Sequence, residues 1–234
     1  MALAAPAVKE WLAASFPGES TLGIARLAGI KGGVLSQQLH SGKVSEATVI
    51  AVARSLGLSP VRELSRFEPY RDLAAGPPPA KEVLAFIDWP HLLVAVGHVQ
   101  TGRDFSERSL GEHLFPDSSR VWVESIDAGA LRKRVEQDLG LASSNVAASL
   151  RRTLNLPLAL AFAKHAGTPV ASAFVVSGLL TPQEAGWDRE ERRNALLALD
   201  MVDLLKTANL RTVLAEKNLR RTRQLENRTA SIPR

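Results

Sequence analysis

The sequence predicts a mainly α-helical protein: five short helices over residues 1–67, a proline-rich linker over 68–80, and a helical C-terminal part over 81–234. Three observations carry this. Apolar residues recur three and four positions apart through most of the chain, which is the spacing of one helix face. Stop-and-restart signals interrupt that pattern: Gly57 is followed by Ser59-Pro60, and Gly167 by Thr168-Pro169. The run Gly76-Pro77-Pro78-Pro79 is a stiff, extended segment that suits a boundary between two parts.

VKEWLAASF (Val8–Phe16) reads as the first helix and ends at Pro17-Gly18. Ser20 or Thr21 caps the second, LGIARLAG, whose Leu22, Ala25, Leu27 and Ala28 are expected to face inward. Gly29 supplies a tight turn, with Ile30 as the apolar anchor beneath it. Val34, Leu35 and Leu39 mark a third helix that stops at Ser41-Gly42. Ser45 caps a fourth, EATVIAVARSLG, closed by Gly57 in the left-handed conformation. Ser59-Pro60 opens the fifth, PVRELSRF, with proline at the tolerated first position.

Beyond the linker, VLAFIDWPHLLVAVGHV is either a helix broken at Pro90 or two short buried strands. RVWVESI (Arg120–Ile126) is either a short strand or a helix. The pattern is helical again from Ala128 to Gly167, and the stretch 189–228 reads as one or two basic amphipathic helices. Its broad apolar side, which includes Leu196, Leu197, Leu199, Val202, Leu204 and Leu205, is expected to be core or a dimer seam. Lys217, Arg220, Arg221, Arg223 and Arg228 either follow DNA phosphates or form a solvated tail.

A diverged copy of the first bundle is expected at about 128–175. GIKGGVLSQQL (Gly29–Leu39) lies over GLASSNVAASL (Gly140–Leu150) without a gap. Glycine then matches glycine, Ile30 matches Leu141, Leu35 matches Val146, and Leu39 matches Leu150. Downstream, VARSLGLSPVREL and FAKHAGTPVASAF agree if one residue is deleted, and each restarts a helix with a hydroxyl residue, proline and valine.

Composition bounds the function classes. Of 234 residues, 45% are hydrophobic and 23% charged, as in an ordinary globular protein. Cysteine is absent, which excludes disulfides and thiolate metal sites. No apolar run approaches the roughly 20 residues of a membrane span, and no secretory leader is recognisable at the N-terminus. A cytoplasmic protein without membrane contact is expected. The net charge is +5 and unevenly spread. Residues 1–67 carry seven Lys or Arg against four Asp or Glu, residues 68–120 five against eight, and residues 188–234 eleven against seven. Basic ends suit an anionic partner such as nucleic acid.

The run STLGIARLAGIKGGVLSQQLHSGKVSEATVIAVARSLGLSPVREL resembles the helix-turn-helix domain of the lambda repressor and Cro family, which includes the bacterial xenobiotic-response-element regulators. The resemblance rests on the short helix, the Gly29 turn, Ile30, and Leu35 and Leu39 locking the next helix onto the first. In general features the chain is also similar to actinobacterial and actinophage immunity repressors. The resemblance implies a transcription regulator whose partner is double-stranded DNA, and no cofactor is expected. It implies that the helix from about Gly32 to His40 enters the major groove, with Gly32, Gly33, Val34, Ser36 and Gln37 turned outward.

Within that helix Gln37 suits a bidentate pair with adenine and Val34 a thymine methyl, while Ser36 suits a base or a phosphate. Lys31, His40 and Lys43 are placed for phosphates. Gly32 and Gly33, where the family usually carries polar side chains, are expected to let the helix N-terminus approach the DNA backbone. In the second copy Ser143, Ser144, Asn145, Ala147 and Ala148, followed by Arg151 and Arg152, are the matching candidates. The alternative there is a structural helix with a basic end. If both units bind, one chain reads an asymmetric site at a separation set by the linker. If only the first binds, the family's palindromic operators imply a dimer.

Enzymatic readings fare worse. Some phage repressors cleave themselves with a Ser/Lys peptidase, and Ala75-Gly76 superficially suits such a cut. The only methionines are Met1 and Met201, however, so the usual Ser-Met-Pro nucleophile context is missing. His40, His91, His98, His113 and His165 are scattered without ligand spacing, and there is no phosphate-cradling glycine loop. The remaining alternative is an antitoxin-like regulator whose C-terminal part binds a protein through the acidic middle segment and Trp89, Trp122 and Trp187.

Overall fold

Ser20, Ser45 and Ser59 give three of the N-terminal helices defined starts, because each hydroxyl accepts an amide proton from the first turn: Gly23 N, Thr48 N and Arg62 N respectively. A computed structural model describes residues 2–101 and 117–230, with backbone alone at 218, 221 and 225–230. His113 and the side chains of Arg221 and Arg228 lie outside the described residues. The described chain is mainly helical.

The first bundle comprises α1 (Ala5–Ser15), α2 (Thr21–Leu27), α3 (Gly32–His40), α4 (Glu46–Ser55) and α5 (Pro60–Leu64). Two two-residue strands, β1 (Leu3–Ala4) and β2 (Lys43–Val44), pair antiparallel, Leu3 opposite Val44, and tie the N-terminus to the chain leaving α3. No alternating pattern announces strands this short. The expected inward face of α2 is corrected. Ile24 and Ala25 are the buried residues, whereas Leu22 and Leu27 are 56% and 60% exposed. Seven residues give only two turns, and the pair on one side of them enters the core shared with the neighbouring helices.

The C-terminal part continues as α6 (Ala80–Val83), α7 (Trp89–Thr101), α8 (Ser118–Ile126), α9 (Leu131–Leu139), α10 (Ser143–Ser149), α11 (Leu156–Ala166), α12 (Val170–Val176), α13 (Arg189–Leu197) and α14 (Met201–Ala230). The open alternatives resolve as helix. RVWVESI lies in α8, where Val121, Trp122 and Val123 are all buried. Pro90 sits in the first turn of α7, where a missing amide costs no hydrogen bond. Along 189–228 the chain breaks at Asp200, whose side chain accepts from Asp203 N (2.8 Å). Leu196, Leu199 and Leu204 turn inward there, while Leu197, Val202 and Leu205 stay exposed.

The helices of the two segments matched in sequence end alike. Gly29 and Gly140 hold φ of 64° and 61°, and Gly57 and Gly167 hold 66° and 68°, a left-handed region that side chains disfavour. After each glycine an amide reaches back into the finished helix: Ile30 N to Ala25 O (2.8 Å), Leu141 N to Glu136 O (3.0 Å), Leu58 N to Ala53 O (2.9 Å) and Thr168 N to Ala163 O (3.0 Å). The correspondence reaches further upstream than expected. Trp11 on α1 and Trp122 on α8 are separated by the same number of residues as Gly29 and Gly140, and both are buried.

One hydrophobic cluster runs through both segments, from Leu3 and Trp11 to Phe162, Phe174 and Trp187. Residues 68–80 therefore do not stand off as a spacer. Tyr70 and Leu73 are buried, with the Tyr70 ring edge-on to Phe174 at 5.2 Å. A second cluster, built from Val83, Leu84, Ile87, Leu92, Leu196 and Leu204 among others, joins α6, α7, α13 and α14.

Candidate nucleic-acid interface

Helix α3 is fixed from below by Leu35 and Leu39, one turn apart and both buried. It is fixed in rotation by Gln38. The Gln38 Oε1 accepts from Ser45 N (3.1 Å) and from Thr48 Oγ1 (2.8 Å), so its amide is spent on the start of α4. Gln38 is thus half-buried and structural, unlike its neighbour Gln37. With these positions committed, Gly33, Ser36, Gln37 and His40 fall at helical spacing on the opposite side, and all four are exposed. Val34 lies at the edge of that stripe, 36% exposed.

Lys31 at the N-cap and Lys43 just past the helix are exposed as well, as is Arg26 on α2. No Asp or Glu occurs between Ser20 and Ser45. The nearest downstream carboxylate, Glu46, is buried and accepts from Tyr70 OH (2.7 Å). The exposed stripe of α3 therefore carries no carboxylate of its own, whereas the Glu19 carboxylate lies over Gly23 of α2. No side chain caps the α3 N-terminus, so its first amides face outward with the positive end of the helix dipole.

The two adjacent glycines have different surroundings. Gly32, expected to turn outward, is half-buried, and a Cβ there would stand 2.7 Å from Leu22 Cδ1, the tip of an exposed side chain on α2. A Cβ at Gly33 would meet nothing within 4 Å. Nothing inside the molecule requires Gly33, and it leaves bare backbone on the exposed stripe.

In the second segment Val146 and Leu150 anchor α10 as Leu35 and Leu39 anchor α3. Ser144, Asn145, Ala148, Arg151 and Arg152 are exposed, while Ala147 is half-buried. Ser143 Oγ donates to Glu136 Oε2 (2.7 Å), which sets a carboxylate beside the α10 N-terminus. The position matching Glu136 in the first segment is Ala25, which is buried. The faces thus share a backbone layout and differ in charge at the helix start.

Two buried carboxylates escaped the sequence reading. Trp11 Nε1 donates to Glu63 Oε2 (2.8 Å), and Trp122 Nε1 donates to Glu82 Oε2 (2.8 Å). Glu82 also accepts from Thr168 Oγ1. Burial pushes the Glu82 carboxyl above its ordinary range, although the hydroxyl and indole donors pull the other way. The signal was present in the equal spacing of the two tryptophans, since a buried indole N–H needs an acceptor. Trp122 and Trp187 are core residues, and of the three tryptophans expected to offer a surface only Trp89 is exposed.

Among the described residues no group of three or more His, Cys, Asp or Glu is placed to hold a metal ion, and no helix is long and apolar enough to cross a membrane. At the Ala75-Gly76 peptide Ala75 is exposed and Gly76 half-buried, with Gly76 N donating to Ala185 O (3.1 Å). No family model, curated protein or solved structure matches the chain.

Proposed function

We propose that the chain is a sequence-specific DNA-binding regulator, an immunity-type repressor that blocks an operator sterically, with α3 entering the major groove. The observation that carries this reading is the exposed stripe Gly33, Ser36, Gln37 and His40. It stands on a rigidly seated helix, flanked by Lys31 and Lys43 and free of carboxylates. Gln37 reads adenine through its amide, Val34 meets a thymine methyl, and Ser36, Lys31, His40 and Lys43 hold phosphates. Gly33 lets the helix N-terminus come against the DNA backbone.

The second segment makes an additional contact through α10. Asn145 lies where Val34 lies on α3, and Arg151 and Arg152 lie where His40 and Ser41 lie. These three side chains are exposed together, which supports one adenine-reading amide with two phosphate-binding cations. One chain then covers two unlike half-sites.

Selection of genomic fragments on the purified chain, with the mass of the bound complex measured, tests the reading. A long asymmetric site holding one chain is expected. A palindromic site holding two chains would restrict DNA reading to α3, and no enrichment even at low salt would contradict the proposal.

A further inference from the structure

The two reading helices do not hang on a tether. Arg54, at the end of α4, forms a fork on Glu184: Nε donates to Oε1 (2.6 Å) and Nη2 to Oε2 (2.7 Å). Nη2 also donates to the Leu179 carbonyl (2.8 Å). Glu184 is held ready for it. Thr181 N donates to Glu184 Oε2 (2.8 Å), and Glu184 N donates to Thr181 Oγ1 (3.2 Å). A fork of this kind fixes orientation as well as distance.

Two further fastenings lie along the linker. Tyr70 bridges the segments, its hydroxyl on Glu46 of α4 and its ring edge against Phe174 of α12. Farther on, a Cβ added to Gly186 would stand 2.8 Å from Gly76 N, so the linker backbone lies against the backbone beyond α12. The proline run therefore spans a gap whose width is set elsewhere. The expectation that the linker sets the separation of the half-sites gives way to a different cause.

We propose that Arg54 and Glu184, with Tyr70 as their backing, are spacing-determining residues that hold α3 and α10 at one separation and one phase along DNA. The inference rests on the two-helix reading given above. Its consequence is geometric. One inserted base pair moves a half-site by roughly 3.4 Å and turns it by about 34° around the duplex. A chain locked by three fastenings cannot follow both changes, whereas a chain joined by a free linker follows them at little cost.

The test uses the selected site and versions of it with one, two or five base pairs inserted between the half-sites. Wild type is expected to lose at least about 30-fold in affinity on one insertion, and with five to fall to the affinity of the first half-site alone. Arg54→Ala and Glu184→Gln are expected to lose less than about 5-fold on the same insertion. Arg54→Lys keeps the charge without the fork and is expected to fall between wild type and Arg54→Ala. Arg62→Ala, an exposed cation on α5 outside the fork, is expected to behave as wild type.

Equal wild-type affinity across all spacings would overturn the proposal. So would wild-type strictness retained in both Arg54→Ala and Glu184→Gln. Glu184→Gln keeps the test decisive if Arg54→Ala folds poorly, because it retains an acceptor for Thr181 N. Failure of the DNA reading itself has a separate signature, the absence of any selected site. If mutating the second half-site leaves affinity unchanged, α3 still reads DNA and the spacing proposal falls alone.

Discussion

In the first unit Trp11 gives its indole proton to Glu63 on α5; in the second, Trp122 gives its proton to Glu82, which belongs to α6 and not to α12. Counting from the shared proline restart, the residue of α12 that matches Glu63 is Ser172, fully buried and too short to replace a glutamate. The first unit supplies the acceptor for its own indole, although its buried Glu46 is partnered by Tyr70 of the linker. The second imports a carboxylate from the far end of the linker, and so cannot be satisfied without the helices that follow the proline run. The same backbone plan can therefore satisfy its indole from within or from the next part of the chain, depending on where one acceptor comes from.

The most damaging way to break this arrangement is at the linker seat. Gly186→Ala imposes a Cβ at φ 80° and within 2.8 Å of the Gly76 amide nitrogen. The left-handed conformation costs an alanine about 1 kcal/mol, and displaced backbone adds to it. A loss of roughly 2–3 kcal/mol is expected, seen as a fall in Tm of about 4–10 °C. A shift below about 2 °C would mean that the linker is not seated on the second half as described.

The tryptophan partners sharpen the comparison next. Glu63→Ala strands a buried indole N–H and is expected to cost about 1–3 kcal/mol in chemical denaturation. Glu82→Gln keeps an acceptor for an indole or hydroxyl and removes a buried charge. Because burial raises the Glu82 carboxyl in the folded chain, its contribution to stability is full below the unfolded value. It is lost as pH rises through the folded one. The stability of Glu82→Gln relative to wild type is therefore expected to improve as pH is raised from about 4 to 8. A gap that stays flat, or that moves the other way, would contradict the imported-carboxylate account.

The smallest expected effect separates packing from function on α3 itself. Gly33→Ala adds a methyl in open space at a helical position, so Tm is expected to rise by the equivalent of up to about 1 kcal/mol. If that bare backbone faces DNA, affinity falls in the same variant. Affinity rising along with Tm would remove Gly33 from the interface.

Much of this was legible in the sequence because it is written in short range. Helix starts at Ser20, Ser45 and Ser59, stops at Gly29, Gly57, Gly140 and Gly167, and the Leu35 and Leu39 anchors are all local signals. They located α3 and the exposed Gly33, Val34, Ser36 and Gln37 on it without any knowledge of packing, but not the half-burial of Gly32. What escaped depends on contacts between distant residues. The role of Gln38 is invisible to local spacing because Ser45 and Thr48 meet it only after the chain turns. Leu22 and Leu27 looked like core because helical spacing does not say which side of a two-turn helix finds a partner. The linker looked like a stiff spacer because proline stiffness is local, whereas its seat on Ala185 and Gly186 lies more than a hundred residues away.

The most direct test of the account compares Gln37→Ala with Arg62→Ala on the selected site and on random DNA, each titrated across salt. Loss of preference for the selected site in Gln37→Ala, with random binding and the salt slope nearly intact, is the predicted result. Equal losses on both DNAs, or none, would contradict base reading by α3.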